Sequence, residues 1–123
     1  MKYTRIYADS DGETHFEDVE EETQKMEIAP TAIIDIGETR PASECSWASF
    51  PAGYSDDFHP VPMRFLIPIL AGEVETTVSD GEVRRFKGGD IILSEDVASK
   101  GHKTVVVGQL TVDFFLVGLP EKT

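Results

Sequence analysis

The second half of the chain alternates between short apolar stretches and turn residues. Residues 73–78 (Glu-Val-Glu-Thr-Thr-Val) alternate polar and apolar side chains with a period of two, which is typical of a strand with one buried face. The dipeptide Asp80-Gly81 follows, and it predicts a tight hairpin turn in which both residues have positive φ. By the same reasoning, strands are predicted over residues 63–70, 82–86, 91–93, 104–107 and 110–117.

The first half is less regular but follows the same plan. Strands are predicted over residues 3–7, 15–19 and 31–36, with an Asp- and Gly-rich turn at 9–13. Residues 38–46 are predicted to form a loop, and an apolar stretch begins again at Trp47. No segment shows a helical stripe. Short strands separated by turn residues predict an all-β antiparallel sandwich or barrel.

The length and composition indicate one globular domain over residues 1–123. The chain is 40% hydrophobic and 28% charged, which is ordinary for a globular protein. A core of this size can be stable without disulfides or a structural metal. No linker, internal repeat or low-complexity tract divides it.

The net charge limits which partners the protein can bind, and the single cysteine bears on the compartment in which it is found. A formal net charge of −12 argues against nucleic acid and anionic membrane surfaces, because such binding depends on Lys and Arg. No apolar run is long enough to span a membrane, and residues 1–6 lack the apolar segment of a signal peptide. Cys45 cannot form an internal disulfide, which fits a reducing compartment. We therefore expect a cytoplasmic protein. The acidic residues between 9 and 22 are interpreted as a solvated face.

One motif carries more specific information. In the run 59–72, His-Pro-Val-Pro-Met-Arg-Phe-Leu-Ile-Pro-Ile-Leu-Ala-Gly, the spacing of His59 and Gly72 resembles the first cupin motif. That motif reads His-x-His, then Glu, then Gly, and its two remaining ligand positions fall on Val61 and Phe65. The passage 72–93 resembles the strand, hairpin and Gly-Gly-Asp turn that follow in cupins.

His102 resembles the histidine of the second cupin motif, although the stretch 95–102 is two residues longer than the family pattern. The resemblance covers about residues 47–117 and is closest to small single-domain cupins without an assigned activity. It implies an antiparallel double-stranded β-helix, or jelly-roll barrel. It also implies a homodimer, for which the N-terminal strands (residues 1–36) are the expected exchange element.

The ligand set implied by the resemblance is incomplete. Cupin metal sites use three His and one carboxylate, and such sites hold Fe, Ni, Zn, Mn or Cu. His59 and His102 fit two positions, whereas Val61 and Phe65 offer no donor. We therefore expect no tightly bound metal. If a divalent metal is held, His15 and Glu17, which share one face of an extended strand, are candidates to complete its shell.

The interior of the expected barrel is apolar. If His59 points inward, period-two spacing points Val61, Met63, Phe65, Ile67 and Ile69 the same way. Such a lumen either packs solid or holds an apolar or aromatic small molecule. The predicted ligand-binding residues are His59, Met63, Phe65, Ile67 and His102, with Trp47 and Tyr54 at the open end.

Three functions are compatible with these features. The first is a binding module for a small organic molecule, with a degenerate metal site. The second is a divalent-metal-dependent enzyme of the oxygenase, isomerase or lyase type. The third is a structural or partner-binding barrel with a filled lumen. Catalytic residues are not identifiable from the sequence, because one fold hosts many chemistries.

Overall fold

The structure is a computed structural model that describes residues 1–122, and this range contains strands, turns and loops but no helix. The prediction of an all-β protein is confirmed. The eleven strands in this range are β1 (Lys2–Ala8), β2 (Thr14–Glu20), β3 (Gln24–Ala29), β4 (Ala32–Ile36), β5 (Glu44–Phe50), β6 (Arg64–Ala71), β7 (Glu73–Val78), β8 (Val83–Lys87), β9 (Ile91–Ser94), β10 (His102–Val106) and β11 (Val112–Leu119).

The strands form two larger sheets and one separate hairpin. The six-stranded sheet has the order β2-β1-β9-β6-β11-β5, the three-stranded sheet has the order β10-β7-β8, and β3 pairs only with β4. None of these sheets closes on itself within residues 1–122. The pairings are antiparallel except between β1 and β9, where Thr4 lies opposite Ile92 and Ile6 opposite Ser94 in parallel. The parallel pair was not predicted, because a pairing between strands this distant in sequence has no local signal.

The core lies between the two larger sheets. Ile6, Val78 and Val112 are almost completely buried and belong to one apolar cluster to which both sheets contribute. In β7 the burial alternates strictly, with Val74, Thr76 and Val78 inward. The prediction of a half-buried strand from the period of two is therefore confirmed.

The turn between β7 and β8 differs from the prediction. Only Gly81 has positive φ, +99°, so the expectation that Asp80 shares it is wrong. The amide of Gly81 donates to the carbonyl of Val78 at 3.0 Å, and the amide of Val78 donates to Glu82 at 3.1 Å. This is a three-residue loop with a bulge at the glycine. The Asp80 carboxylate stabilises it by accepting from the Glu82 amide at 2.8 Å.

Two strand boundaries also differ. Residues 24–29 form β3 as one side of a hairpin with β4, although no strand was predicted over them. Strand β5 begins at Glu44, inside the predicted loop 38–46. Its first residues pair with the end of β11, Glu44 opposite Gly118 and Cys45 opposite Val117. A tertiary pairing therefore extends a strand that local sequence does not favour.

Gly72, the last residue of the run that resembles a cupin motif, is required for two backbone reasons. It joins β6 to β7 with φ +87°, a conformation that favours glycine. A Cβ at this position would lie 2.6 Å from the carbonyl oxygen of Thr111, so the two segments could not approach as closely.

The N-terminal strands divide into two groups. Strands β1 and β2 belong to the six-stranded sheet of their own chain, and Ile6 of β1 is in the core. The β3–β4 hairpin lies outside both larger sheets and exposes Met26, Ile28, Ile33 and Ile34. Within residues 1–122, no helix has the length and apolar character needed to cross a membrane.

Candidate functional site

A cavity of about 220 Å³ lies between the two larger sheets, next to the core. Most of its lining is aliphatic or aromatic, and its polar lining comes from two histidines and a few hydroxyl side chains. The lining residues are Ile6, Phe50, His59, Val61, Pro62, Phe65, Ile67, Ile69, Val74, Thr76, Ile92, Ser94, His102, Thr104, Val112, Phe114 and Leu116.

Four predicted site residues meet at this cavity, namely His59, Phe65, Ile67 and His102. Val61 and Ile69, expected on the same face, also line it. Met63 does not, although it was expected to. Strand β6 begins only at Arg64, and the Pro-rich segment before it does not keep the alternation of an extended strand.

The two aromatic residues expected at the open end lie elsewhere. Trp47 is 70% exposed and contacts Phe115, with 6.4 Å between ring centroids. It lies opposite Phe115 in the β5–β11 register, and neither residue lines the cavity. Tyr54 stacks on Phe50, with 4.3 Å between ring centroids, and so supports the cavity wall from behind. Phe50 itself reaches the cavity.

His59 and His102 are brought together by their backbones. The amide of each donates to the carbonyl of the other at 3.1 Å, and their ring centroids lie 5.6 Å apart. Gly101 makes this approach possible. It has φ +76°, and a Cβ there would lie 2.0 Å from the carbonyl carbon of His59. Any other residue at position 101 would push the two segments apart.

His102 is paired with a completely buried carboxylate. Its Nδ1 lies 2.7 Å from Oδ2 of Asp96, and the side chains of His102 and Asp96 are 11% and 0% exposed. We call Asp96 and His102 the buried pair. No residue in the range 1–122 bonds to Nε2 of His102. Two buried oxygens nearby in sequence, Oδ1 of Asp96 and Oγ of Ser94, also have no partner among the described residues.

His59 pairs with a second carboxylate, that of Asp56, at 3.1 Å from its Nε2. We call Asp56 and His59 the outer pair, because the His59 side chain is 51% exposed. Asp56 also accepts from the Tyr54 hydroxyl at 2.6 Å and from the Thr104 amide at 2.7 Å. Nδ1 of His59 lies 3.1 Å from the carbonyl of Pro60. Both ring nitrogens of His59 are therefore engaged.

Contacts within and around the outer pair raise the pKa values of His59 and Tyr54. Burial by itself would lower the pKa of His59. The Pro60 carbonyl and the Asp56 carboxylate outweigh it and raise the pKa above its ordinary value. The pKa of Tyr54 is raised to about 12, chiefly because its hydroxyl donates to Asp56 and because it is partly buried.

His15 and Glu17, the candidate extra metal ligands, share a face of β2 as predicted, but it is the outer face. The inward residues of that strand are Thr14 and Phe16. Both ring nitrogens of His15 are engaged, by Asp9 at 2.7 Å and by Asp80 at 2.8 Å. Glu17 pairs with Arg5. Neither residue lines the cavity.

The residues at the cavity do not fit the donor set of a cupin metal. Val61 and Phe65 line the wall at the two positions without donors, and His59 has both nitrogens engaged. Within residues 1–122, the one imidazole nitrogen at the cavity that remains free to coordinate a metal is Nε2 of His102. Among the residues that the structure describes, no group of three or more His, Cys, Asp or Glu side chains is placed to hold a metal ion.

Sequence reasoning missed the two aspartates and Ser94. Asp56 and Asp96 precede their histidines by three and six residues, spacings that carry no general signal. Ser94 ends β9 and lies opposite Phe65 of β6, which is evident only from the strand register. Searches with models of known protein families and among curated proteins found no match for this chain.

Proposed function

We propose that this chain is a small-molecule-binding protein of the cupin type, in which the metal site has been replaced by an apolar cavity with a polar end. The run from His59 to Gly72, the His59–His102 bridge and the two facing sheets support a jelly-roll arrangement. Val61 and Phe65 line the same cavity as the two histidines, which supports the alignment of all four with the cupin ligand positions.

The observation that carries the proposal is the cavity itself. Its volume of about 220 Å³ is below the ~300–1,000 Å³ of pockets for drug-sized ligands. An apolar cavity of about 150 Å³ binds benzene. The cavity therefore suits a ligand with a single ring or a short branched chain. The same space favours a binding protein over a barrel whose lumen is filled.

A cavity-filling substitution tests the proposal. Replacing Ile67 by Trp places a larger side chain in the cavity and should abolish binding of toluene and phenol, followed by amide chemical-shift changes in NMR. The matched control is Leu66→Trp, since Leu66 is the neighbour in β6 and does not line the cavity. The proposal fails if neither probe shifts the amides of the cavity residues in the unmodified protein.

The metal-dependent enzyme remains the alternative to be measured. Elemental analysis of protein purified without a metal-binding tag decides between them. Near-stoichiometric Fe, Ni, Zn, Mn or Cu would replace the binding proposal with the enzyme. We expect substoichiometric metal, because His102 offers one free nitrogen and His59 none.

We also propose that the β3–β4 hairpin contacts a second copy of this chain. A two-stranded hairpin is marginal in water unless it packs on something, and Met26, Ile28, Ile33 and Ile34 are exposed here. Ile28→Lys combined with Ile33→Lys should convert a dimer to a monomer in sedimentation equilibrium. Leu110→Lys, at an equally exposed loop residue outside the hairpin, is the control. A monomeric unmodified protein at micromolar concentration would contradict the proposal.

A further inference from the structure

The buried pair gives the polar end of the cavity a defined hydrogen-bonding character. A carboxylate accepts hydrogen bonds and does not donate them, so the 2.7 Å contact with Asp96 places a proton on Nδ1 of His102. In the neutral imidazole, which the inference below assumes, Nε2 then carries a lone pair. His102 lines the cavity, and no described residue competes for this nitrogen. The cavity therefore presents an acceptor fixed in direction by a buried partner.

A second buried polar atom lies at the cavity wall. Ser94 is completely buried and lines the cavity, and its Oγ has no partner among residues 1–122. Buried hydroxyls without partners are uncommon in folded proteins. The cavity wall therefore has one acceptor at His102 and one hydroxyl at Ser94, while most of the remaining surface is apolar.

The cavity disfavours an anionic ligand, because an unpaired charge is costly to bury among apolar side chains. The Asp96 carboxylate lies beside the polar end, whereas His59, both of whose ring nitrogens face acceptors, offsets the charge of Asp56. No Lys or Arg within residues 1–122 lines the cavity. The whole chain carries a formal net charge of −12, which adds to the repulsion of an anion. A neutral hydroxyl group can donate to Nε2 without bringing a charge.

We infer that the cavity selects a small neutral molecule with an apolar, single-ring body and one hydroxyl donor, of the class of simple phenols, whose hydroxyl donates to Nε2 of His102. This inference rests on the proposed function, because it assumes that the cavity is a binding site. It adds the class of ligand, its orientation and the residue that recognises it.

Three small molecules of similar size, namely phenol, toluene and benzoate, test the inference by NMR titration at pH 8. Phenol should bind about tenfold more tightly than toluene, which lacks the hydroxyl, as expected for one net hydrogen bond in a buried site. Benzoate should bind more weakly than phenol, because burying its carboxylate in an apolar cavity beside Asp96 is costly. Ile67→Trp should remove binding of all three and so locate them in the cavity.

The outcomes separate the two proposals. If toluene and phenol bind the cavity equally, the role of His102 is overturned and the cavity remains a binding site. If neither binds, the proposed function fails and the inference with it. If benzoate binds more tightly than phenol, the assignment of a neutral ligand is wrong.

A variant and a tautomer measurement complete the test. Asp96→Leu combined with His102→Phe removes both polar partners together and should reduce the preference for phenol over toluene to about one, with toluene still bound. Should this variant fail to fold, long-range ¹H–¹⁵N NMR of the unmodified protein decides. The inference requires Nδ1 of His102 to carry the proton and Nε2 to be bare. A proton on Nε2 in the free protein would overturn it.

Discussion

The outer and buried pairs have the same chemistry and opposite surroundings. Asp56–His59 lies at the protein surface, and its carboxylate also accepts from Tyr54 and Thr104. Asp96–His102 is buried, and the Asp96 carboxylate has one oxygen without a partner in the described residues. In the outer pair both imidazole nitrogens are occupied, whereas in the buried pair one nitrogen is free at a cavity wall. Burial and the other contacts therefore decide which histidine keeps a ring nitrogen without a partner among the described residues.

The largest effect should come from converting both pairs into a metal site. Val61→His combined with Phe65→Glu supplies the two donors that the proposed cupin alignment lacks, on a wall that already carries His59 and His102. Affinity for Zn or Ni should rise by orders of magnitude in calorimetric titration, since each new side chain adds a ligand that the fold orients. The new polar groups should cost about 1–3 kcal/mol each in the metal-free protein if they remain unpaired.

Two controls make this result interpretable. Val61→Thr combined with Phe65→Leu changes the same positions without adding a strong metal donor and should leave affinity unchanged. Adding His102→Phe to the donor variant should reduce the gain. A donor variant that folds but binds metal no better than the parent would show that these four side chains do not converge.

The second prediction compares how much His102 and His59 each contribute to the free energy of unfolding. His102→Phe leaves the Asp96 carboxylate buried without a partner and should lower the free energy of unfolding by about 3–5 kcal/mol. His59→Phe should lower it by less than about 1 kcal/mol, because the His59 side chain is half-exposed and Asp56 keeps two other donors. Urea unfolding followed by Trp fluorescence measures both. Equal losses would contradict the distinction between the pairs.

The outer pair can be tested through Tyr54. Asp56→Asn removes the charge that opposes ionisation of the hydroxyl, so the pKa of Tyr54 should fall from about 12 toward the ordinary value of about 10. Ultraviolet titration of tyrosinate measures the change. Asp57→Asn is the control, since the carboxylate of Asp57 accepts from the Phe58 amide and does not reach Tyr54. An unchanged pKa of Tyr54 in Asp56→Asn would show that Asp56 does not raise it.

The smallest effect concerns His15, a histidine with two carboxylate partners. Asp9 and Asp80 raise its pKa above the ordinary value of about 6.5. Its contribution to stability is therefore complete below about pH 6.5 and is lost as the pH rises through the folded-state pKa. The difference in urea midpoint between the unmodified protein and His15→Gln should shrink over that range. Lys2→Gln, at an exposed strand residue, should show no such trend.

Much of the fold was predictable because its strands are locally encoded. The alternation in β7 and the apolar stretch of β6 gave the correct strands, and Gly72 and Gly81 lie in the turns between them. The error at Asp80 came from assigning the turn by its dipeptide. The side-chain hydrogen bond from Asp80 to the Glu82 amide favours the bulged loop instead. Local signals of this kind place turns more reliably than they specify the turn type.

Most acidic residues of the N-terminal segment are exposed, in line with its interpretation as a solvated face, but its ion pairs were not predictable. Several of its carboxylates pair with cations that are distant in sequence. Glu21 pairs with Arg40, Asp18 with Arg84 at 2.6 Å and Glu13 with Lys100 at 2.8 Å. Ion pairs depend on which strands become neighbours, and composition alone does not contain that information.

The sequence by itself determined the all-β class, most of the strands and the apolar face that carries Phe65 and Ile67 beside His59. Period-two spacing and turn chemistry are properties of neighbouring residues, so they can be read locally. The tertiary structure decided the rest: the parallel β1–β9 pair, the partners Asp56 and Asp96, and the position of Ser94. These features join residues from separate strands. Their positions therefore depend on strand register and sheet packing, which no single segment specifies.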